Sequence, residues 1–158
     1  MSGHLRILVD ADACPVKEEV YKVAFRHAVP ATVVSNARIR LPEHPLISRQ
    51  IVSDAFDAAD DWIAENCTTM SVVITGDILL ADRCLKAGAT VLGHNGKPFT
   101  LASIGGAIAT RAIMADLRAG GDGLGANIGG PAPFSKADRS RFLSALDEVL
   151  VRLARHAI

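Results

Sequence analysis

Short apolar runs alternate with longer amphipathic segments along most of the chain. The apolar runs, rich in Val and Ile, predict strands at about 5–10, 31–35, 49–53, 70–75 and 91–93. Helical periodicity follows the first, third and fourth of these runs, and two further helices are predicted at about 100–118 and 135–154. Strands and helices therefore alternate.

Alternation of this kind predicts an α/β fold. Strands that are joined through helices run parallel, and right-handed crossovers place the helices on both faces of the sheet. The expected architecture is a three-layer domain with a central, mostly parallel sheet of about five strands. The 158 residues suit a single domain, 1–158, with a glycine-rich loop at 119–133 before the last helix.

Composition narrows the class of protein. Hydrophobic residues make up 49% of the chain, which is enough for a core, and no apolar run reaches the roughly 18 residues of a membrane span. Cys14, Cys67 and Cys84 are odd in number and form no CxxC pair, which argues against disulfides and against a zinc site. We expect a cytoplasmic protein with reduced thiols, no disulfide partner and no contact with a membrane.

Charge is balanced overall but unevenly distributed along the chain. The formal net charge is +0, yet residues 1–82 carry twelve acids and seven bases, whereas residues 83–158 carry five acids and ten bases. Within one globule, this difference predicts an acidic pocket that is bordered by basic side chains.

Aspartates follow three of the predicted strands. Asp10 and Asp12 follow the first strand, Asp54 the third and Asp77 the fourth. Ligand sites of open α/β sheets lie at the carboxyl ends of strands, and neighbouring strands are about 5 Å apart, so these carboxylates are expected to converge. Clustered carboxylates suit Mg²⁺ or Mn²⁺. The alternative is that each Asp only caps the helix that follows it.

The segment from 54 to 65 is unusually acidic. On a helix, its acids fall within an arc of about 140° with apolar residues opposite; they are Asp54, Asp57, Asp60, Asp61 and Glu65. No Lys or Arg lies within the segment to pair with them. A solvated face with acids in the first helical turn is the alternative to a metal site.

One enzyme class matches these features in part. The runs DAD at 10–12 and GD at 76–77 resemble motifs of the haloacid dehalogenase superfamily, in which the first Asp is a phosphoryl-accepting nucleophile. That superfamily also requires a Lys, and none occurs at 36–76. In addition, Pro15 begins a helix where the superfamily inserts a flap. A phosphatase with Asp10 as the nucleophile is therefore an alternative with a broken motif.

A second resemblance covers essentially the whole chain. Its runs are VDADACPVKEEV, DAFDAADDWIAE, VITGDILLADRCLKAGATVL and GGPAPFSKADRSRF. They are similar to those of the YaiI/YqxD family of bacterial proteins, which resembles the PIN-like nucleases in fold. The resemblance implies a PIN-like domain and a metal-dependent phosphodiesterase that uses Mg²⁺ or Mn²⁺.

The same resemblance implies a set of site residues. Acids of the 57–61 helix would join two strand-end aspartates as catalytic residues, and Thr75 would shape the turn at the strand end. The candidate catalytic residues are Asp10, Asp57, Asp61 and Asp77, and the candidate metal ligands are these four with Asp12 and Asp82. Within the acidic helix the position stays open, because Asp54, Asp57, Asp60 and Asp61 compete for it.

A polyanionic substrate also requires cations beside the carboxylates. The candidates are Arg38, Arg40, Arg83, Lys97, Arg111 and Arg118, of which Arg83, Arg111 and Arg118 are the predicted substrate contacts together with Thr75. Aromatic residues, at 4%, are too few for a base-stacking platform. Among the histidines, only His94, just after the last strand, is expected near the cleft.

The function expected from these residues is cleavage of RNA by a cation-activated water. The alternative from a different class is a binding or regulatory protein, whose acidic pocket holds a cation or a phosphorylated ligand without turnover.

Overall fold

The computed structural model describes residues 4–12, 14–55, 57–106 and 134–156. In chain order, the elements are β1 (Arg6–Asp10), α1 (Lys17–His27), β2 (Ala31–Ser35), β3 (Ile47–Ile51), α2 (Ala58–Asn66), β4 (Ser71–Ile74), α3 (Ile78–Lys86), β5 (Thr90–Leu92), α4 (described at 101–106) and α5 (Lys136–His156). The loop predicted at 119–133 and most of the helix predicted at 100–118 lie outside the described residues.

The sheet has five strands, all parallel, in the order β3-β2-β1-β4-β5. The chain first adds β2 and β3 on one side of β1, and α2 then carries it across to β4 on the other side. The order of the strands therefore reverses between β1 and β4. In open α/β sheets this switch point is where ligands bind, because the connecting segments diverge there and leave a crevice.

Strand side chains alternate between two hydrophobic cores, as the period of two requires. On β1, Ile7 and Val9 enter the first core, which packs the sheet against α1 and α5, and Leu8 enters the second core, which packs it against α2 and α3. Phe142 of α5 and Ile63 of α2 are fully buried in these two cores. The predicted three-layer α/β fold, with helices on both faces, is confirmed.

The helices begin later than the sequence pattern predicts where polar or turn-forming residues precede them. α1 begins at Lys17, so Pro15 lies in the turn before it. α2 begins at Ala58, four residues later than the acidic run that predicted it. α5 begins at Lys136, after reciprocal capping bonds in which the Asp138 amide donates to Ser135 Oγ at 3.1 Å and the Ser135 amide donates to Asp138 Oδ2 at 3.0 Å.

The connection between β2 and β3 is a loop at 36–46 without a helix. β3 occupies Ile47–Ile51, two residues earlier than the predicted 49–53. Within the described ranges, no helix combines the length and apolar character needed to cross a membrane. The assignment of 1–158 to a single domain stays a prediction.

Candidate functional site

Asp10 and Asp77 meet at the switch point of the sheet. Asp10 is the last residue of β1, and Asp77 follows β4 by three residues. β1 and β4 are paired in parallel with Val9 opposite Ile74, so the two carboxylates leave the sheet at the same edge although they are separated widely in sequence. The predicted convergence of these strand ends is therefore present in the structure.

Thr75 connects the two aspartates. Its side chain is fully buried, and its hydroxyl donates a hydrogen bond of 2.8 Å to Asp10 Oδ2. The same hydroxyl oxygen accepts a bond of 3.0 Å from the Asp77 amide. Thr75 therefore fixes the Asp10 carboxylate and the turn that carries Asp77. It has no surface for substrate, so the structure makes it a positioning residue and not the substrate contact that the sequence indicated.

Asp77 also caps α3. Its Oδ1 accepts hydrogen bonds from the amides of Leu79 and Leu80, at 2.9 and 3.3 Å. The capping interpretation from the sequence is thus correct for this residue, but it accounts for one carboxylate oxygen. Oδ2 of Asp77 makes no hydrogen bond to a described residue and is available for a ligand.

α2 brings further acids to the same edge of the sheet. Asp57, at the N-cap, has a left-handed backbone with φ of 67° and makes no side-chain capping bond. Left-handed φ is uncommon outside glycine and costs free energy, although Asp tolerates it better than most residues. One turn further on is Asp60, and the negative charges of Asp77 and Asp10 contribute to the rise in its pKa.

These acids line one open cavity of about 1070 Å³. Six aspartates contribute to its wall, namely Asp10, Asp12, Asp54, Asp57, Asp60 and Asp77. The wall includes neither Lys nor Arg among the residues that the structure describes. The remaining lining residues come mainly from the ends of β2 and β3 and the loops after them, so the cavity spans the carboxyl edge of the sheet.

Crowding and burial shift the protonation of two of these carboxyls. The pKa of Asp60 is raised to about 6, mainly by burial and then by the negative charges of Asp77, Asp10 and Asp57. Burial also raises the pKa of Asp10, with smaller contributions from Asp12 and Asp77, while the Thr75 hydroxyl opposes the shift. The cavity is therefore short of positive charge, and a bound cation would relieve the repulsion.

His94 stands at the side of the cavity next to Gly76. A Cβ on Gly76 would lie 3.2 Å from His94 Cε1, so the ring approaches a bare backbone there. Burial lowers the pKa of His94, which favours the neutral imidazole at pH 7. Its Nε2 is buried without a hydrogen-bond partner among the described residues. The sequence expectation that His94 lies near the cleft agrees with this position.

Three other predicted site residues lie away from the cavity. Asp61 points to α3, where Arg83 Nη1 pairs with its Oδ1 at 2.8 Å on the protein surface. Asp82 pairs with Lys86 one turn along α3, at 2.9 Å. None of the three predicted residues, Asp61, Asp82 and Arg83, lines the cavity. Arg111 and Arg118, the other predicted substrate contacts, lie outside the described residues.

Of the four aspartates that competed for the position, Asp54, Asp57 and Asp60 line the cavity and Asp61 does not. The sequence put forward Asp57 and Asp61. Helical geometry contained a signal for Asp60. At 100° per residue, Asp60 lies about 60° from Ile63 around α2, whereas Asp61 lies about 160° from it. Ile63 is the fully buried residue of this helix, so an acid three positions before it faces the sheet and an acid two positions before it faces outward.

The donor set fits a hydrated divalent cation better than a closed cage. Within the described part of the chain, no group of three or more His, Cys, Asp or Glu side chains is arranged to hold a metal ion. Mg²⁺ commonly keeps several waters and binds through one or two carboxylates plus substrate phosphate oxygens. Asp10 and Asp77 supply carboxylate oxygens of this kind, with more carboxylates around the cavity wall.

Fold and site together define the class: a three-layer α/β protein with an acidic cavity at the switch point of a parallel sheet. The family described as "Uncharacterized BCR, YaiI/YqxD family" matches residues 8–152. The chain therefore belongs to the YaiI/YqxD family, as the sequence runs indicated.

Relatives from other bacteria are similar over nearly their full length. A UPF0178 protein of Sphingopyxis alaskensis is 71% identical over 149 residues, which are 94% of this chain and 95% of the relative. A UPF0178 protein of Jannaschia sp. is 58% identical over 93% of both chains, and one of Rhodopseudomonas palustris is 57% identical over 95% of this chain and 92% of its own. No solved structure matches the chain, and the likeness to PIN-like nucleases stays a prediction.

Proposed function

We propose that this protein is a Mg²⁺- or Mn²⁺-dependent phosphodiesterase that cleaves RNA. One observation carries the proposal: carboxylates from three separate parts of the chain line a single cavity at the switch point of the sheet, with no Lys or Arg in the described wall. Such an arrangement is costly without a cation, because burial and mutual repulsion disfavour the charged carboxylates and raise the pKa values of Asp10 and Asp60.

Asp10 and Asp77 are the residues that would hold the cation, with Asp12, Asp54 and Asp57 close by for bound water. When bound, a divalent cation supplies Lewis-acid chemistry: it lowers the pKa of a coordinated water and offsets charge on the phosphate oxygens. The protein's own contribution is to fix the carboxylates in advance. Thr75 does this for Asp10, and the first amides of α3 do it for Asp77.

Asp60 suits the role of proton acceptor. In the cation-free cavity its pKa is raised to about 6, so at neutral pH it is an ionised carboxylate that can take a proton from an attacking water. The helix α2 holds it opposite Asp77 and Asp10, so the acceptor and the phosphate would lie in the same cavity. A proton released at the cavity wall would pass to an Asp60 oxygen.

The phosphatase alternative is less well supported. A phosphoryl-accepting Asp of the haloacid dehalogenase superfamily acts together with a Lys, and the sequence has none at 36–76. The Lys that such chemistry requires is also missing from the described wall of the cavity.

The proposal includes a cytoplasmic location, which is supported by three free, buried cysteines.

The test is a cleavage assay with labelled RNA and purified protein, with Mn²⁺ or with EDTA. We expect cleavage with Mn²⁺, and its loss in the Asp10→Asn and Asp77→Asn variants. Asp61→Asn and Asp82→Asn remove the same charge outside the cavity and should keep the activity.

A second readout separates the enzyme from a cation-binding protein without turnover. Mn²⁺ should raise the Tm of the wild type and of the two control variants, but not of Asp10→Asn or Asp77→Asn. A Tm shift without cleavage would support the binding or regulatory alternative. If Mn²⁺ neither shifts the Tm nor supports cleavage, the proposal is wrong.

A further inference from the structure

The loop that connects β2 to β3 borders the acidic cavity and carries two arginines. Ala37 and Ile39 of this loop line the cavity. Arg38 and Arg40 do not, and both are exposed. Ile39 and Leu41 pack against the first core, so residues that face the protein alternate with residues that face solvent. The two guanidinium groups therefore form an arginine rim, Arg38 and Arg40, at the mouth of the cavity.

The rim lies at the level of the candidate site. Asp10 of β1 is in register with Val34 of β2, and the Ala11 amide donates to the Val34 carbonyl at 3.1 Å. The loop that leaves β2 after Ser35 therefore begins beside the strand end that carries Asp10. A chain that lay across the rim would continue directly into the cavity.

The arginines of the rim are available for an external anion. Neither Arg38 nor Arg40 makes a hydrogen bond or an ion pair with any residue that the structure describes. Four other arginines are engaged with acids of the protein, namely Arg26, Arg83, Arg139 and Arg141. The cavity with its six aspartates lies beside the rim, yet none of these aspartates forms an ion pair with Arg38 or Arg40.

We propose that the arginine rim binds the phosphodiester backbone of single-stranded RNA and guides one phosphate to the carboxylates. This inference rests on the function proposed above. A guanidinium group matches phosphate geometry with two parallel hydrogen bonds. Arg38 and Arg40 are separated by one residue of the loop, so they contact successive phosphates of a strand, while a further phosphate reaches the cavity. A single phosphate ester at the carboxylates would leave the rim unused.

The acidic wall explains why such a rim is needed. The six aspartates repel an RNA strand, which is a polyanion. Binding of the RNA therefore requires arginines that are not already paired with these aspartates. Contacts to phosphates release counterions, and the affinity then falls with salt, with a slope near −0.7 per contact for single strands. The salt dependence of RNA binding is therefore the property that reports directly on the rim.

The experiment measures binding of a fluorescein-labelled single-stranded RNA by anisotropy, in EDTA, over a series of monovalent-salt concentrations. Every protein carries Asp77→Asn to stop cleavage, and Asn still caps α3 because it is as good an N-cap as Asp. The test variant adds Arg38→Gln and Arg40→Gln. The control adds Arg152→Gln instead.

Arg152→Gln controls for the loss of an exposed arginine, because Arg152 is exposed and lies toward the amino-terminal ends of the strands. Asp147 of α5 pairs with Arg26 and His27 at the end of α1, which runs back to the start of β2, so this part of α5 is remote from the cavity. Circular dichroism and the Tm show whether each variant is folded. Because Arg38 and Arg40 are exposed, their replacement should leave the Tm unchanged.

We expect the double replacement in the rim to weaken RNA binding by about tenfold or more at low salt, and to reduce the salt slope by about 1.4. The Arg152 control should match its parent. If the rim variant keeps the affinity and slope of its parent, or if the parent does not bind RNA, the inference is wrong.

The outcome is distinguishable from a failure of the proposed function. If RNA binds through the rim but the wild type never cleaves it with Mn²⁺, the rim is supported and the catalytic proposal fails. If the wild type cleaves RNA and the rim variant binds as its parent does, the catalytic proposal is supported and the rim is not.

Discussion

Asp60→Asn should make the protein more stable at neutral pH. The pKa of Asp60 rises from 3.8 to about 6 in the folded chain, first because of burial and then because of Asp77, Asp10 and Asp57. The folded state therefore binds the proton more tightly than the unfolded state. Stability that is present below pH 4 is lost as the pH rises from about 4 to about 6. Asn cannot ionise, so the variant does not lose it.

The size of the gain follows from the shift. A difference of roughly two pKa units corresponds to about 3 kcal/mol if it is converted directly. The side chain is only partly buried, and screening by solvent reduces the gain to about 1 kcal/mol. For a chain of this length, the Tm of Asp60→Asn should exceed that of the wild type by about 2–4 °C at pH 7.5. At pH 4 the difference should fall to about a fifth of that value or less.

Thermal unfolding in EDTA, followed by the fluorescence of Trp62 or by calorimetry, measures this difference across pH 4 to 7.5. Asp61→Asn is the matched control, because it removes the same charge from the adjacent position of α2. Asp61 pairs with Arg83 on the surface, so its replacement should lower the Tm slightly or leave it unchanged. Equal effects of the two variants, or a gain at Asp60 that does not depend on pH, would refute the reasoning.

Three further substitutions, with Thr32→Val as a control, test how the site and its surroundings are held. Thr75→Val removes the donor to Asp10 and the acceptor of the Asp77 amide, so it should lower the free energy of unfolding by about 1–3 kcal/mol in urea titrations. Thr32→Val on β2 removes only a solvent-exposed hydrogen bond of 3.2 Å to the Ser48 hydroxyl and should change this free energy little. Gly96→Ala should cost about 2 kcal/mol or more, because φ is +85° and the new Cβ would lie 2.6 Å from a backbone oxygen. Gly105→Ala has open space and should stabilise α4 by about 0.5–1 kcal/mol.

The fold could be predicted from the sequence because its strands are buried on both faces. Continuous apolar runs such as that of β1 identify parallel strands, and their alternation with amphipathic segments implies the three layers. The order of the strands could not be predicted in this way. It depends on which side of β1 each crossover returns to, and residue patterns along a single chain do not encode that choice.

The site could be predicted where an acid follows a strand, and less well on α2. Asp10 and Asp77 are fixed by the ends of β1 and β4, so their convergence follows from the parallel sheet. The acidic run at 54–61 predicts one helix, but the helix begins at Ala58, and the left-handed backbone of Asp57 changes the direction of the chain before it. Periodicity cannot anticipate such a break, and it was the buried Ile63 that identified the inward-facing acid.

The central position of β1 has a consequence for how the protein is made. β1 precedes the other four strands of the sheet, and its second neighbour, β4, is synthesised only about sixty residues later. Strands that are far apart in the chain pair slowly, because the entropy of closing the long loop between them is lost before their contacts can stabilise the fold. The mutually repelling carboxylates are thus kept apart during translation, and the nascent chain has no assembled acidic cavity until the sheet is nearly complete.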